Sequence, residues 1–399
     1  MHTTDKAKML HNLAMTLRGH FEETGQLTDL TKSVSLLRDA LNQLHAHHPD
    51  RVRVNHSLGE ALQTQFEQMG QRCDLEEAVS LHREVLLWRS APSQDRARSL
   101  NDLATALHTL FEQTGQLAQL DESILSHREA LALRPAPNPR RSFSLSNLAT
   151  ALNARFLQVG QLADQDEAIS LHREALLLRP VAHPERQISL NNLAMALNSR
   201  FHRTDQIADL ADLDQAISLF REALPRLHAH HPNRSYLVSN LAQALDSRIQ
   251  QTSQLADVDE VVSLHREALA LRPAIHGGAG SPNALAAALY MRFSRTGQLT
   301  DLDESISLHR KNLLLQSAAD PGRSSCLNNL ATALRDRFRT TVELVDLDEG
   351  ILLHREAIDL LPATSPDRAK SLNNLATSLH STWDDRSTRR PARGSHGTP

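Results

Sequence analysis

Aromatic residues are scarce: Phe, Tyr and Trp together make up 3% of the 399 residues. A compact mixed core normally uses more, whereas stacked helical layers pack on Leu and Ala. Cysteine is scarcer still. The two present, Cys73 and Cys326, lie far apart, which excludes a disulfide framework and points to a reducing compartment, the cytoplasm. No apolar run approaches the roughly 18 residues of a membrane-spanning helix, and Met1 to Lys8 lacks the apolar stretch of a secretory signal. Charge excess is missing too. A net charge of −4 gives no electrostatic case for nucleic acid or an anionic membrane, and bases to be stacked would find few aromatic platforms. No G-x-x-x-x-G-K occurs, so there is no P-loop. No nucleophile, base and orienter set stands out, and no cofactor motif.

What is abundant is self-similarity. The pattern N-L-A-x-A-L-x-x-x-F returns nine times, on anchors Leu13, Leu58, Leu103, Leu148, Leu193, Leu241, Leu285, Leu330 and Leu375. The steps between anchors are 45, 45, 45, 45, 48, 44, 45 and 45 residues. A fixed period of this size means one supersecondary unit stacked on copies of itself. Length alone would suggest two or three domains, but residues 5–383 read as a single array without a boundary-like linker.

One unit shows the physics. Leu145, Leu148, Ala149, Leu152 and Phe156 form one apolar stripe of a helix, helix A. Gly160 predicts its C-terminal stop. Asp164 and Glu167 have capping-box spacing, repeated at Asp74/Glu77, Asp257/Glu260, Asp301/Glu304 and Asp346/Glu349, with the Asp expected at the cap. Helix B follows, with Ala168, Ile169, Leu171, His172, Ala175, Leu176 and Leu178 on its apolar side. Arg179-Pro180 ends it, as Arg134-Pro135 and Arg272-Pro273 do elsewhere. Nothing shows the period-2 alternation of a strand. The fold class is all-α: a right-handed α-solenoid of eight to nine helix-turn-helix repeats, eight full hairpins and a ninth helix A. A small residue follows every anchor (Gly59 once, Ala otherwise), letting helix axes approach closely. Eight residues after the anchor stands an aromatic core plug, from Phe21 to Trp383, with Ile249 the exception.

These residues resemble the tetratricopeptide repeat (TPR). Leu148, Ala149 and Leu152 match its first block, and Ala168, His172, Ala175 and Pro180 its second, in a unit lengthened by eleven residues. Leucine replaces the helix A aromatic and histidine usually replaces the helix B aromatic. The long repeats of kinesin light chains are closer, and closer still are fungal arrays associated with CHAT protease domains: Asp166 to Leu176 reads DEAISLHREAL and Ser371 to Ser378 reads SLNNLATS. The resemblance covers roughly residues 5–383. It implies a non-catalytic scaffold that binds a protein or an extended peptide on a concave helix A surface. The alternative it implies is a sensor or regulatory arm of a larger effector, a CHAT protease or an NTPase receptor.

The candidate residues form ladders. Position 24 after the anchor carries His82, His127, His172, His265, His309 and His354, with Leu37 and Phe220 in the other repeats. One histidine per repeat, roughly 20 Å apart, cannot share a metal, so these read as half-buried packing residues and neither metal nor cofactor is expected. The Arg-Glu pairs that follow, such as Arg83-Glu84, Arg128-Glu129 and Arg173-Glu174, read as a solvated face. The two positions before the anchors hold an amide ladder: Asn101, Asn147, Asn191, Asn192, Asn240, Asn283, Asn328, Asn329, Asn373 and Asn374. In kinesin light chain-like repeats such asparagines hold a peptide backbone, and an amide offers both donor and acceptor; helix capping is the competing role. The first Asn of each pair is the stronger peptide candidate. Arg155, Arg200, Arg248, Arg292 and Arg337, seven after the anchors, form a basic row. It either steers acidic partners or pairs with acids such as Asp164 and Asp209.

Two irregularities mark expected bends: a duplicated Ala-Asp-Leu between Asp209 and Asp214, and the Gly-rich stretch from His276 to Pro282. Cys326 reads as a neutral replacement for Ser or Leu. After Trp383 the pattern collapses into residues 384–399, an Arg-rich segment with two readings. One is a disordered basic tail. The other is a frameshift, because the alternate codons can spell T-T-G-Q-L-A-D-L-x-E there. The uncapped terminal repeats leave apolar surface that suits end-to-end self-association.

Overall fold

A computed structural model describes residues 3–204, 210–229, 231–252, 256–271, 280–317, 319–320 and 322–388. Among the described residues there are seventeen α-helices and no strand. Hairpins alternate an A helix and a B helix: α1 (Thr3–Thr24) and α2 (Leu27–Asn42), α3 (Asp50–Met69) and α4 (Arg72–Trp88), α5 (Gln94–Thr114) and α6 (Leu117–Ala132), α7 (Arg141–Val159) and α8 (Leu162–Leu177). They continue with α9 (Arg186–Thr204) and α10 (Leu210–Ala223), α11 (Arg234–Thr252) and α12 (Val258–Leu271), α13 (Gly280–Thr296) and α14 (Leu299–Leu315), α15 (Arg323–Thr341) and α16 (Leu344–Asp359), then α17 (Pro366–Thr388) alone. Contacts divide the chain into two compact units, residues 1–219 and 220–399. The first two residues of the duplicated Ala-Asp-Leu, 208 and 209, lie outside the described residues, as do residues 276–279 of the Gly-rich stretch.

In the first unit the anchors Leu58, Leu103, Leu148 and Leu193 are buried, as are the following Ala104, Ala149 and Ala194. Leu13 is the exception at 51% exposure. The plugs Phe21, Phe66, Phe111 and Phe156 fill the layers. In the second unit Leu241, Leu285 and Leu330 play the same part, with Ile249 and Phe338 as plugs. Each buried leucine contributes roughly 1.5–3 kcal/mol from the area it removes from water. The side chain of Trp383 lies outside the described residues. Helix α17 runs to Thr388, so residues 384–388 of the expected tail are helical, and residues 389–399 lie outside the description.

Within each unit, successive A helices touch one another: α1 with α3, α3 with α5, α5 with α7 and α7 with α9 in the first, α13 with α15 and α15 with α17 in the second. No two successive B helices touch to the same extent among the described residues. The A helices therefore line the inner side of each stack.

Helix A stops as expected. Gly25, Gly70, Gly115, Gly160 and Gly297 adopt φ values of 68–78°, where a side chain is costly. The Gly160 N–H donates to the carbonyl of the plug Phe156 at 2.8 Å, closing the left-handed cap. The capping-box expectation is corrected at four of its five sites, while Asp257 directly precedes α12 as expected. Helices α4, α8, α14 and α16 begin after Gln71, Gln161, Gln298 and Glu343, none of which makes a side-chain cap bond. Asp74, Asp164, Asp301 and Asp346 are instead the third residues of those helices and are buried. Their negative charge still suits the helix N-terminus, but they turn inward to partners on helix A.

Candidate binding face

Those partners are the residues seven after the anchors. Arg155 grips Asp164 with two bonds of 2.8 and 2.6 Å and reaches back to Asp121 of the preceding B helix at 3.0 Å. Arg200 does the same with Asp212 and Asp166, Arg292 with Asp301 and Asp259, and Arg337 with Asp346 and Asp303. Arg248 pairs with Asp257. The Asp164 carboxylate raises the Arg155 pKa further, with the other three following suit. Reading this row as a steering surface gives way to the pairing alternative: four of the five guanidiniums each meet two carboxylates, so the row presents no surplus positive charge. Asp209, named as one partner, lies outside the described residues, and Asp212 serves Arg200.

The histidine ladder is buried rather than half-buried: His82, His127, His172, His265, His309 and His354 all sit in the core. Burial lowers the pKa of His82, His172, His309 and His354 to about 4, and that of His127 to about 3. Those five are neutral packing groups, while His265 pairs with Asp246 at 2.9 Å. Leu37 and Phe220 fill the same slot fully buried. Cys326 lies 3.8 Å from the His309 ring, but burial pushes its thiol pKa up, which leaves it a poor nucleophile.

The amide ladder lies along the inner A helices, and its members differ. Asn101 and Asn147 bond each other at 3.0 Å across adjacent A helices. Asn328 is half-buried; its Oδ1 faces the His354 ring at 2.9 Å and its amide donates to Ser371 of α17 at 2.5 Å. Asn191 contacts Asn192 and the Met195 sulfur at 3.5 Å, at the edge of hydrogen bonding. Asn240, Asn283 and Asn374 are half-buried, and the Oδ1 of Asn283 has no protein partner. Asn329 and Asn373 are exposed. The first Asn of a pair is therefore not consistently the free one: in the α15 pair, Asn328 is spoken for within the array and Asn329 faces out.

Asn329 stands on the rim of a cavity of about 340 Å³ in the second unit. Ala287, Tyr290, Met291 and Ser294 of α13 line one side, Asn329 and Thr332 of α15 the other, with His309 of α14 completing it. Tyr290 is fixed by a 2.5 Å bond from its hydroxyl to Asp336; burial, then that carboxylate, raises its pKa.

On the B helices, long ion pairs span successive hairpins. Arg83 meets Glu122, Arg128 meets Glu167, and Arg310 meets Glu349, each at 2.6 Å. The glutamates beside the ladder histidines face the other way, to the A helix of their own hairpin, as in Arg96–Glu129 at 2.7 Å and Arg141–Glu174 at 2.8 Å. Those arginines also close the preceding B helix: Arg96 Nη1 donates to the Arg89 carbonyl at 2.8 Å and Arg141 Nη1 to the Arg134 carbonyl at 3.1 Å. Their recurrence seven residues before the anchors was visible in the sequence but not its purpose.

No family model and no curated protein matches the chain. Among solved structures it is similar to the nearly identical TPR-like repeats of a Podosopora anserina protein described as a kinesin light chain, at 22% identity and a TM-score of 0.40, covering 56% of this chain and 96% of that one. It is similar to the C-terminal part of a Cytophaga hutchinsonii TPR repeat-containing protein, at 13% identity and a TM-score of 0.49, over 79% of this chain and 99% of that one. Pseudomonas aeruginosa pilF matches at 16% identity and a TM-score of 0.44, over 67% and 92%. The likeness is one of fold.

Proposed function

We propose that this chain is a protein-binding scaffold that takes an extended peptide along its A-helix face, with the cavity between α13 and α15 as a side-chain subsite. The carrying observation is that cavity: an exposed amide, Asn329, on the rim of a recess walled by Tyr290, Met291 and Ala287. An extended peptide presents a donor and an acceptor at each bond, which one amide side chain can meet, and alternate side chains, which need recesses. About 340 Å³ lies at the lower end of small-ligand sites, and a Leu, Met or Phe side chain fills such a recess. A binding role without catalysis is supported by the thiol beside the His309 ring, which is buried with its pKa raised. No helix among the described residues is long and apolar enough to cross a membrane.

The test is selection of a random peptide library on the immobilised chain, then affinity measurement on variants. Selected peptides should share a bulky apolar residue. Met291→Asp should abolish their binding, and Asn329→Ala should weaken it about tenfold, the loss of roughly 1.4 kcal/mol, with helix content and melting temperature retained. Equal affinity for parent and both variants would overturn the reading.

A further inference from the structure

The first unit holds a second, chemically different cluster on its inner side. His56 and Glu60 lie four residues apart on α3, one turn along a single face. Asp102 projects from the neighbouring A helix, α5. One ring nitrogen of His56 and one carboxylate oxygen from each acid all lie within 4.8 Å of one another. His56 Nε2 is 3.5 Å from Glu60 Oε1, and His56 Nδ1 is 3.7 Å from Asp102 Oδ2. His56 is 8% exposed. Neither of its ring nitrogens has a protein hydrogen-bond partner, and neither does Asp102 Oδ2. Buried polar atoms are ordinarily paired, so two adjacent side chains sharing this defect ask for a common occupant.

We propose that His56, Glu60 and Asp102 form a divalent transition-metal site, best suited to zinc. Bonds of about 2.1 Å in a tetrahedral zinc site put ligand atoms about 3.4 Å apart, and the His56–Glu60 separation already matches at 3.5 Å. Asp102 needs only a side-chain rotation to complete a three-ligand set, leaving the fourth position to water. The imidazole selects among cations: magnesium and calcium prefer oxygen alone, whereas zinc and its neighbours take nitrogen with carboxylate.

The electrostatics agree. Burial lowers the pKa of His56, which keeps the ring in its neutral, coordinating form. Burial and then Glu60 raise the Asp102 carboxyl to about 7. A cation between these groups relieves both penalties. Glu60 is not idle: Arg18 holds Oε2 and Arg98 holds Oε1, each at 2.8 Å. Arg18 is largely buried, but nearly half of the Arg98 side chain is exposed, so Arg98 can swing into water as Oε1 turns to the ion. This site is separate from the helix B ladder. His82, the ladder member beside it, packs edge-on at 6.1 Å and gives one nitrogen to Gln63 instead.

The experiment titrates the full chain, stripped with a chelator, with Co²⁺ as a spectroscopic stand-in for zinc. One equivalent of Co²⁺ should give visible d–d absorption that Zn²⁺ displaces, and Zn²⁺ should raise the melting temperature. His56→Asn and Asp102→Asn should each lower the affinity on the order of 100-fold, the upper range for support-shell losses. Both substitutions copy residues the chain itself carries in that register, at Asn101 and Asn147, so the variants should fold. The clustered loop residues His45 and His48 are the competing ligands, and His48→Ala should leave the absorption unchanged. Absence of d–d bands in the parent, bands that persist unweakened in both Asn variants, or bands lost only in His48→Ala would each overturn the assignment.

Discussion

At the scale of single residues, the chain repeats pairs rather than positions. Seven and sixteen residues after the anchor stand His20 with Asp29, Gln65 with Asp74, and then Arg with Asp, as in Arg292 with Asp301. In the one described hairpin where the first member is apolar, Leu110, the second is Gln119, which turns instead to the Thr114 hydroxyl at 2.7 Å. A second pair behaves the same way at the joint between hairpins. Arg89, Arg134 and Arg179 donate to Ser99, Ser144 and Ser189 at 2.5, 2.6 and 2.7 Å. Elsewhere the same joint holds Leu44 with Val54, or Leu227 with Leu237, all buried. Arg134 is only 3% exposed, and burial lowers its pKa. Removing its acceptor alone, by Ser144→Val, should leave a buried guanidinium short of a partner and cost about 1–3 kcal/mol. The double variant Arg134→Leu/Ser144→Val recreates the apolar joint and should return near parent stability, since a well-packed apolar replacement of a buried ion is often neutral. Urea denaturation of the two singles and the double gives the cycle; simple additivity would refute the coupling.

At the scale of the element, helix A needs a left-handed residue to stop, and among the described stops one lacks glycine. Val342 takes φ 62° at the end of α15, and its N–H donates to the Phe338 carbonyl at 2.7 Å, the bond Gly160 makes to Phe156. A β-branched residue in that region costs about 1–2 kcal/mol, of which glycine's extra chain entropy returns 0.5–1 kcal/mol to the unfolded state. Val342→Gly should therefore stabilise the chain by up to roughly 1.5 kcal/mol, read as a rise in melting temperature; a fall would show that the exposed valine packs usefully. The glycine stops and apolar stripes of both helices were legible in the sequence, because they depend on residues within one or two turns. The start of helix B was not. Asp164 and Glu167 have the spacing of a capping box, yet Asp164 lies inside the helix, drawn to an arginine nine residues earlier. Local spacing cannot separate a cap from a third residue when the deciding partner sits on another helix. The arginines that close each preceding B helix, Arg51, Arg96 and Arg368 among them, escaped for the same reason: their acceptors are main-chain carbonyls that appear only once hairpins stack.

At the scale of the whole molecule, repetition multiplies a small effect into a large one. The amide ladder was legible as a face, but which amides stay free was not, since Asn328 and Asn329 differ only by which neighbour claims them. The histidine ladder was legible as packing, and its consequence comes from its number. His82, His172, His309 and His354 carry folded pKa values of about 4, and His127 one of about 3, against 6.5 for a free ring. Between those limits the unfolded chain binds more protons than the folded one, so stability rises with pH. The contribution is fully present above about 6.5 and is lost as the pH falls toward 4. Asp102 works in the opposite sense, since a carboxyl raised to about 7 takes its proton in the folded chain first; it is one group against five. The melting temperature should accordingly drop steeply between about pH 6.5 and pH 4. His127→Phe, which places at His127 the residue the chain already buries at Phe220, removes one of the five terms. Its melting temperature should fall less than the parent's over the same acid range while matching it more closely near pH 7. Parallel curves for the two proteins across that range would mean that the buried ring is not what couples this fold to protons.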